Sequence, residues 1–237
     1  MIIGVPKEIK LQEHRIGLTP GSVKALTDKK HEVLVQDNGG FEAGFTNEDY
    51  LVAGAKIKMA IAILSTLQRF DVALFDTLYS YGRERLGVTQ GALAFSRSGD
   101  GYLQLLAPVF VWLSRSPLAE TYLIAWAIAM LVERATYYIL KNTLKRLRPA
   151  DFKPNFHSLI TASDKFSFPS GHTSAAFCIA TITVLNFGGL SMVMFAWALM
   201  VGISRVVVGV HFPGDVLAGA LMGSGIAMGT ASVLSLW

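Results

Sequence analysis

The chain has 237 residues, 52% of them hydrophobic and only 16% charged, with a mean hydropathy of +0.44. That balance excludes an ordinary soluble globule over the whole length and points to membrane spans. The net charge of +4 is read as cations beside membrane segments or around a bound phosphate, and no nucleic-acid partner is expected.

Residues 1–57 are polar and soluble in style. IIGV (2–5) reads as a short buried strand, and TPGSVKALTDKK follows as a helix with Thr19 as N-cap and Pro20 at its first position. HEVLVQ (31–36) alternates like a second strand, Gly39–Gly40 marks a turn, and NEDYLVAGA makes another short helix. The result is a βαβα fragment. The start MIIGVPKEIKLQEHR turns polar almost at once, so no cleavable signal peptide is expected. Cys178 is the only cysteine, so no intrachain disulfide can form.

GVPKEIK and HRIGLTP give this region a close resemblance to the start of alanine dehydrogenase, and a looser one to the related transhydrogenase subunit. The resemblance implies that Arg15 matches an arginine that helps bind the pyruvate carboxylate. The chain leaves that pattern after about residue 57 and has no strand–GxGxxG–helix unit for a nicotinamide. A truncated α/β fragment without dehydrogenase activity is therefore expected.

The character changes near Lys58–Met59, and Met59 fits an ancestral start codon of a second protein fused behind the first. Residues 58–100 form an amphipathic lead-in. MAIAILSTLQRFDVALFDTLYSYG within it carries Arg69, Asp71 and Asp76, charges too costly for mid-bilayer, and reads as an interfacial helix. Residues 101–237 then supply about five apolar segments: 101–113 (short, with Pro108), 118–140, 172–187, 190–208 and 213–236. Tyr137 and Tyr138 fit an interfacial aromatic belt. Gly219/Gly223 and Gly225/Gly229 have spacings that let helices approach closely. The expected fold is an all-α membrane bundle behind a small α/β fragment.

Three polar motifs interrupt the apolar part. Lys141 and Arg148, in KNTLKRLRP, are seven residues apart. On a continuous helix they share a face, a point charge and a planar fork suited to a phosphoryl group. A basic cluster reaching lipid headgroups fits the same residues. Phe168-Pro-Ser-Gly-His172-Thr-Ser runs straight into an apolar helix, whose N-terminus is an anion cradle with Ser170 and His172 beside it. A plain Ser/Thr cap with an incidental histidine is the other reading. Ser204-Arg205-VVVGV-His211-FPG-Asp215 lies between two apolar helices. Ser204 and His211 share a face if that helix continues, and Asp215 can reach back to fix the His211 tautomer.

Motif one ends one apolar segment, motif two begins the next, and motif three joins the last two. An antiparallel bundle thus brings all three to one membrane face. Asp164, Lys153, His157 and Lys165 in the 150–168 loop fit a gate, a headgroup reader or an exposed connector equally. Glu133–Arg134 fits a local ion pair or a polar wall of the pocket, without a catalytic role.

In order and spacing these motifs, KxxxxxxRP, PSGH and SRxxxxxHxxxD, resemble the type 2 phosphatidic acid phosphatase (PAP2) superfamily over roughly residues 59–237. SRSGDGYLQ (96–104) is also similar to small bacterial membrane members. The resemblance implies a bundle related to vanadate haloperoxidases and a membrane phosphatase for a lipid phosphate or diphosphate, such as phosphatidate, phosphatidylglycerophosphate or undecaprenyl diphosphate. It implies His211 as nucleophile, Asp215 as its orienter and His172 as general acid. It makes Lys141, Arg148, Ser170, Gly171 and Arg205 the phosphate-binding set, with no metal and no cofactor. By the same analogy the site opens to the periplasmic side of a bacterial plasma membrane. The competing expectations are an inactive fusion and a non-enzymatic membrane protein.

Overall fold

A computed structural model describes residues 1–7, 15–58, 62–153 and 155–234. The stretch EIKLQEH at 8–14 and Met59, where the composition changes, lie outside them. The chain forms two compact units, Met1–Phe70 and Asp71–Trp237.

In the first unit β1 (Ile2–Val5), α1 (Pro20–Asp28), β2 (Glu32–Gln36), α2 (Asn47–Val52) and β3 (Lys56–Lys58) follow in order. The strands form a parallel sheet in the order β1-β2-β3. Parallel neighbours need crossover connections, which α1 and α2 provide. Thr19 caps α1 by accepting from Ser22 N, and Pro20 sits at the helix start as expected. A reciprocal Thr46–Asp49 capping box starts α2. The period-two pattern of β2 buries Val33 and Val35, which join Val5, Val23, Tyr50, Ala53 and Ala55 in one core. β3 escapes the sequence reading because it is only three residues long, two of them exposed lysines.

The second unit takes up the helix α3 (Ala62–Arg83), within which the unit boundary falls. It continues through α4 (Leu86–Ser98), α5 (Tyr102–Leu113), α6 (Ala119–Leu144), α7 (Pro149–Phe152), α8 (Gly171–Phe187), α9 (Val193–Val207) and α10 (Pro213–Val233). α8 is the centre of the bundle: every residue from Thr173 to Ile182 except Phe177 is buried. Against it pack α10, α9 and α6. Gly219 and Gly223 permit the α8–α10 approach, because a methyl group on them would lie 2.6 Å from Ser170 O and 2.0 Å from Ser174 O. Gly225 and Gly229 face open space and play no such part.

Among the described residues, three helical stretches are long and apolar enough to cross a membrane: Ala119–Phe152, Gly189–Val207 and Pro213–Val233. The other two segments expected as spans, Gln104–Leu113 and Gly171–Phe187, are apolar but shorter. The apolar windows of Ala119–Phe152 and Pro213–Val233 are only 17% and 28% buried, so most of their hydrophobic surface faces outward. A water-soluble bundle would place that surface inside; a lipid-facing one leaves it out.

Candidate active site

The break between α6 and α7 places the first motif. α6 ends at Leu144 with Lys145 in the left-handed region (φ 48°), and Arg148 is the N-cap of α7. Lys141 and Arg148 are therefore not two turns apart on one helix, as their spacing suggested. They meet instead on a third residue. Asp164 Oδ1 accepts from Arg148 Nη2, and its Oδ2 lies 3.0 Å from Lys141 Nζ and accepts from the Tyr137 hydroxyl. Arg148 also donates through Nε to Asp164 O (2.9 Å) and through Nη1 to Val210 O (2.6 Å), beside His211. Lys141 donates to Tyr137 Oη at 2.9 Å. Burial works against the Asp164 charge, but these hydrogen bonds prevail and hold its carboxyl below the usual carboxylate range.

The second motif opens α8. Phe168–Pro169 is a cis peptide, and Ser170 is the α8 N-cap, with its N–H on Asp215 O (3.0 Å) and its hydroxyl 2.9 Å from Thr173 Oγ1. Gly171 is the first helical residue; a methyl group there would meet Tyr137 Cε2 at 2.7 Å, so the backbone and the tyrosine ring lie edge to edge. His172 follows, with Nε2 2.7 Å from Asp100 Oδ1.

The third motif closes the site. α9 stops at Val207, so His211 lies in the α9–α10 connection and not on the face of Ser204. Gly209 makes that turn possible at φ 84°. Arg205, in the last turn of α9, donates from Nη1 to Ser96 Oγ at 2.6 Å. Pro213 starts α10, and Asp215 in its first turn points Oδ2 at Phe212 N (2.8 Å) and lies 3.6 Å from His211 Nδ1. That separation is longer than a hydrogen bond. His211 is 2% exposed, and burial, reinforced by the charges of Arg148 and Arg205, lowers it to about 4 despite Asp215. Its imidazole is thus neutral at ordinary pH. His211 Nδ1, Arg205 Nε and, away from the site, Trp126 Nε1 are buried without a hydrogen-bond partner among the described residues.

Sequence reasoning missed several groups. Arg146, inside the KNTLKRLRP stretch, spans Asp215 Oδ1 (2.8 Å) and Asp71 Oδ2 (2.6 Å) and covers the Phe212 ring. Asp71 in turn accepts from Gly214 N at 2.6 Å. Tyr137, expected in an interfacial belt, is a hydrogen-bonding member of the site. Glu133 and Arg134 do form an ion pair (2.5 and 2.7 Å), with Glu133 wholly buried and also accepting from Ser174 Oγ at 2.5 Å. The 150–168 loop is anchored: Lys153 pairs with Asp76, Tyr79 donates to His157 O at 2.9 Å, and Ser167 N donates to Arg146 O at 2.8 Å. The usable signal was charge placed beside apolar helices, which is costly unless paired.

A cavity of about 350 Å³ is lined by Gly171 and His172 together with Asp100, Gln104, Arg134 and Asp164; Lys141, Arg148, Arg205 and His211 lie outside its lining. Among the described residues no group of three or more His, Cys, Asp and Glu side chains is arranged to hold a metal ion.

All eight motif residues lie within 121–236, the stretch that matches the PAP2 superfamily. The chain carries a PAP2 superfamily domain. Residues 4–66 match the alanine dehydrogenase/PNT N-terminal domain. The solved structure of Aquifex aeolicus LpxE aligns with a TM-score of 0.60 and 27% identity, over 68% of this chain and 94% of that one. A transmembrane PAP2-type phosphatidylglycerolphosphate phosphatase from Bacillus subtilis aligns at 0.58 and 23% identity, over 71% and 86%, a likeness of fold. The alanine dehydrogenases of Staphylococcus epidermidis and Bacillus subtilis are each 56% identical over 57 residues, 24% of this chain. The chain spans 15% of the length of those relatives. Two different families thus match two separate stretches of one chain.

Proposed function

We propose that the PAP2 domain is a membrane lipid phosphatase that cleaves a lipid phosphate or diphosphate through a phosphohistidine on His211. What supports this reading is the chain of contacts that joins Lys141 and Arg148 through Asp164, Arg148 to the Val210 carbonyl beside His211, and both Ser170 and His211 to Asp215. A neutral imidazole with a carboxylate at Nδ1 leaves Nε2 as the attacking nitrogen. Nε2 bonds to phosphorus as the bond to the leaving oxygen breaks, and His172 gives that oxygen its proton. Asp215 stabilises the positive ring that forms, the 3.6 Å contact shortening as charge develops. Water then attacks the phosphohistidine, gives its proton to His172, and frees both histidines and inorganic phosphate.

Lys141, Arg148, Arg205, the Ser170 hydroxyl and the Gly171 N–H at the start of α8 hold the nonbridging oxygens. Three fixed cations supply charge stabilisation of the kind that a metal gives elsewhere, so the reaction is expected to run in EDTA. The leaving lipid lies toward the outward apolar surface of the bundle. Phosphatidate, phosphatidylglycerophosphate and undecaprenyl diphosphate are the substrates to try first. By resemblance to bacterial relatives, the site is proposed to face the periplasm.

Phosphate release from that panel by purified protein in EDTA is the test. His211→Ala and His172→Ala should each abolish it, and alkaline quenching of wild type should trap an acid-labile, base-stable phosphoryl group on His211. Full turnover by the His211 variant would end this reading. For the first unit we propose no dehydrogenase activity, and nicotinamide reduction with alanine as substrate is the corresponding check.

A further inference from the structure

The α4–α5 junction, Ser96-Arg-Ser-Gly-Asp100, belongs to none of the three motifs, yet it touches two of them. Ser96 Oγ receives Arg205 Nη1 at 2.6 Å and is 2% exposed. Ser98 Oγ accepts from Trp197 Nε1 at 3.0 Å, which ties the same turn to α9. Gly99 packs where a methyl group would lie 2.9 Å from Val201 Cγ1 and 3.3 Å from His172 Cδ2, so the junction sits against the imidazole itself. Asp100 Oδ1 is 2.7 Å from His172 Nε2. Upstream, Ala92 of α4 packs with Val207, Val208 and Val210 of the third motif, which holds the junction in register.

Resting on the phosphatase reading above, we infer that Asp100 is a positioning residue for the general acid, fixing the ring of His172 and stabilising its protonated form. The geometry mirrors the nucleophile's: each histidine has one aspartate on one ring nitrogen. A carboxylate on Nε2 accepts the Nε2–H and leaves Nδ1 to deliver its proton to the departing oxygen. The other charges facing His172 are Arg205 and Arg134, both cationic, so Asp100 is the group that offsets them. In the first step the proton leaves Nδ1 as the P–O bond breaks. In the second the neutral ring takes a proton from the attacking water. Asp100 keeps its negative charge throughout.

The test uses leaving groups that differ in their need for a proton. Dioctanoyl phosphatidate must expel an alkoxide, whereas p-nitrophenyl phosphate expels a stable phenolate. With the full-length protein in single-turnover measurements, Asp100→Asn should lower the rate of alcohol release from phosphatidate by roughly tenfold or more, while the burst of p-nitrophenolate, whose departure needs no proton, stays within about twofold. The aryl substrate reports on the same preparation, so a misfolded variant shows itself. Equal losses of these first-step rates on both substrates would show Asp100 to be structural and overturn the assignment. A wild-type protein inactive on both substrates would instead sink the phosphatase reading, and the role of Asp100 with it.

Discussion

Arg146 holds Asp215 by its guanidinium: Nη1 donates to Asp215 Oδ1 at 2.8 Å, while Nη2 reaches Asp71 Oδ2 at 2.6 Å. The Asp215 side chain is fully buried and Arg146 is 28% exposed, so the arginine is the main counter-charge of a carboxylate that cannot reach water. Asp71 fixes the other arm and binds Gly214 N, which sets the first turn of α10 from which Asp215 projects. Removing Arg146 leaves Asp215 free to turn from His211 or to take up a proton. Arg146→Ala should lower kcat on phosphatidate by roughly 10–100-fold, in the manner of other orienting partners, with little change in KM. It should also cost roughly 3 kcal/mol of stability, the low end for breaking a buried pair, because Arg146 keeps some contact with water. Thermal unfolding in detergent and steady-state kinetics check the two effects, and Asp71→Asn should produce a weaker version of both.

Asp164 makes stability depend on acid. Its folded carboxyl titrates at about 2 against an ordinary 3.8, so the folded state binds fewer protons than the unfolded chain between those values. The stabilisation is fully present above the ordinary value and is lost as pH falls through the folded one. The side chain is 34% exposed, so solvent screening reduces the contribution to about 1 kcal/mol. Unfolding midpoints of wild type should therefore fall between about pH 4 and pH 2, and Asp164→Asn should flatten that part of the curve. An unchanged slope in the variant would show that the Lys141–Asp164–Arg148 contacts carry no net stability.

The same carboxylate competes with phosphate for Lys141 and Arg148. An incoming phosphoryl group meets two cations whose charge Asp164 already offsets, so removing that charge should strengthen anion binding. Asp164→Asn is expected to lower the inhibition constant of inorganic phosphate by about fivefold, roughly 1 kcal/mol, measured at pH 7. Weaker binding in the variant would mean that Asp164 chiefly orients the two cations.

Much of this arrangement could be read from residues alone, and the exceptions have physical causes. Period-two burial and a Thr–Pro start identify β2 and α1 from local rules. Apolar length locates α6, α9 and α10, while α5 and α8 fall short of a span because polar motifs and turns bound them. Helix order brings the three motifs to one end of the bundle. What escaped were partners joined by tertiary contact. Asp164 lies 16 residues from Arg148 and Asp71 lies 75 from Arg146, distances over which periodicity carries no information. Helix ends were the other blind spot, since a continuous-helix reading put Lys141 with Arg148 and Ser204 with His211. Lys145 and Gly209, both with positive φ, mark where those helices had already ended.

Glycine positions in α10 give a contrast that spacing alone cannot. Gly219 and Gly223 face α8, where an added methyl group would sit 2.6 Å from Ser170 O and 2.0 Å from Ser174 O. Neither contact can be relieved by turning a side chain, since both oxygens belong to the α8 backbone. Gly225 and Gly229 meet nothing within 4 Å. Gly223→Ala should force α8 and α10 apart at a cost of about 3 kcal/mol, the upper end for overpacking. Gly219→Ala presses on Ser170, the cap beside Gly171 and His172, so it should reduce phosphate release beyond what its loss of stability explains. Gly225→Ala and Gly229→Ala should leave unfolding unchanged, or raise the midpoint slightly through helix propensity. Melting and turnover of the four variants in one detergent separate these outcomes. Equal destabilisation by Gly223→Ala and Gly225→Ala would show that the α8–α10 contact is not the close backbone approach described above.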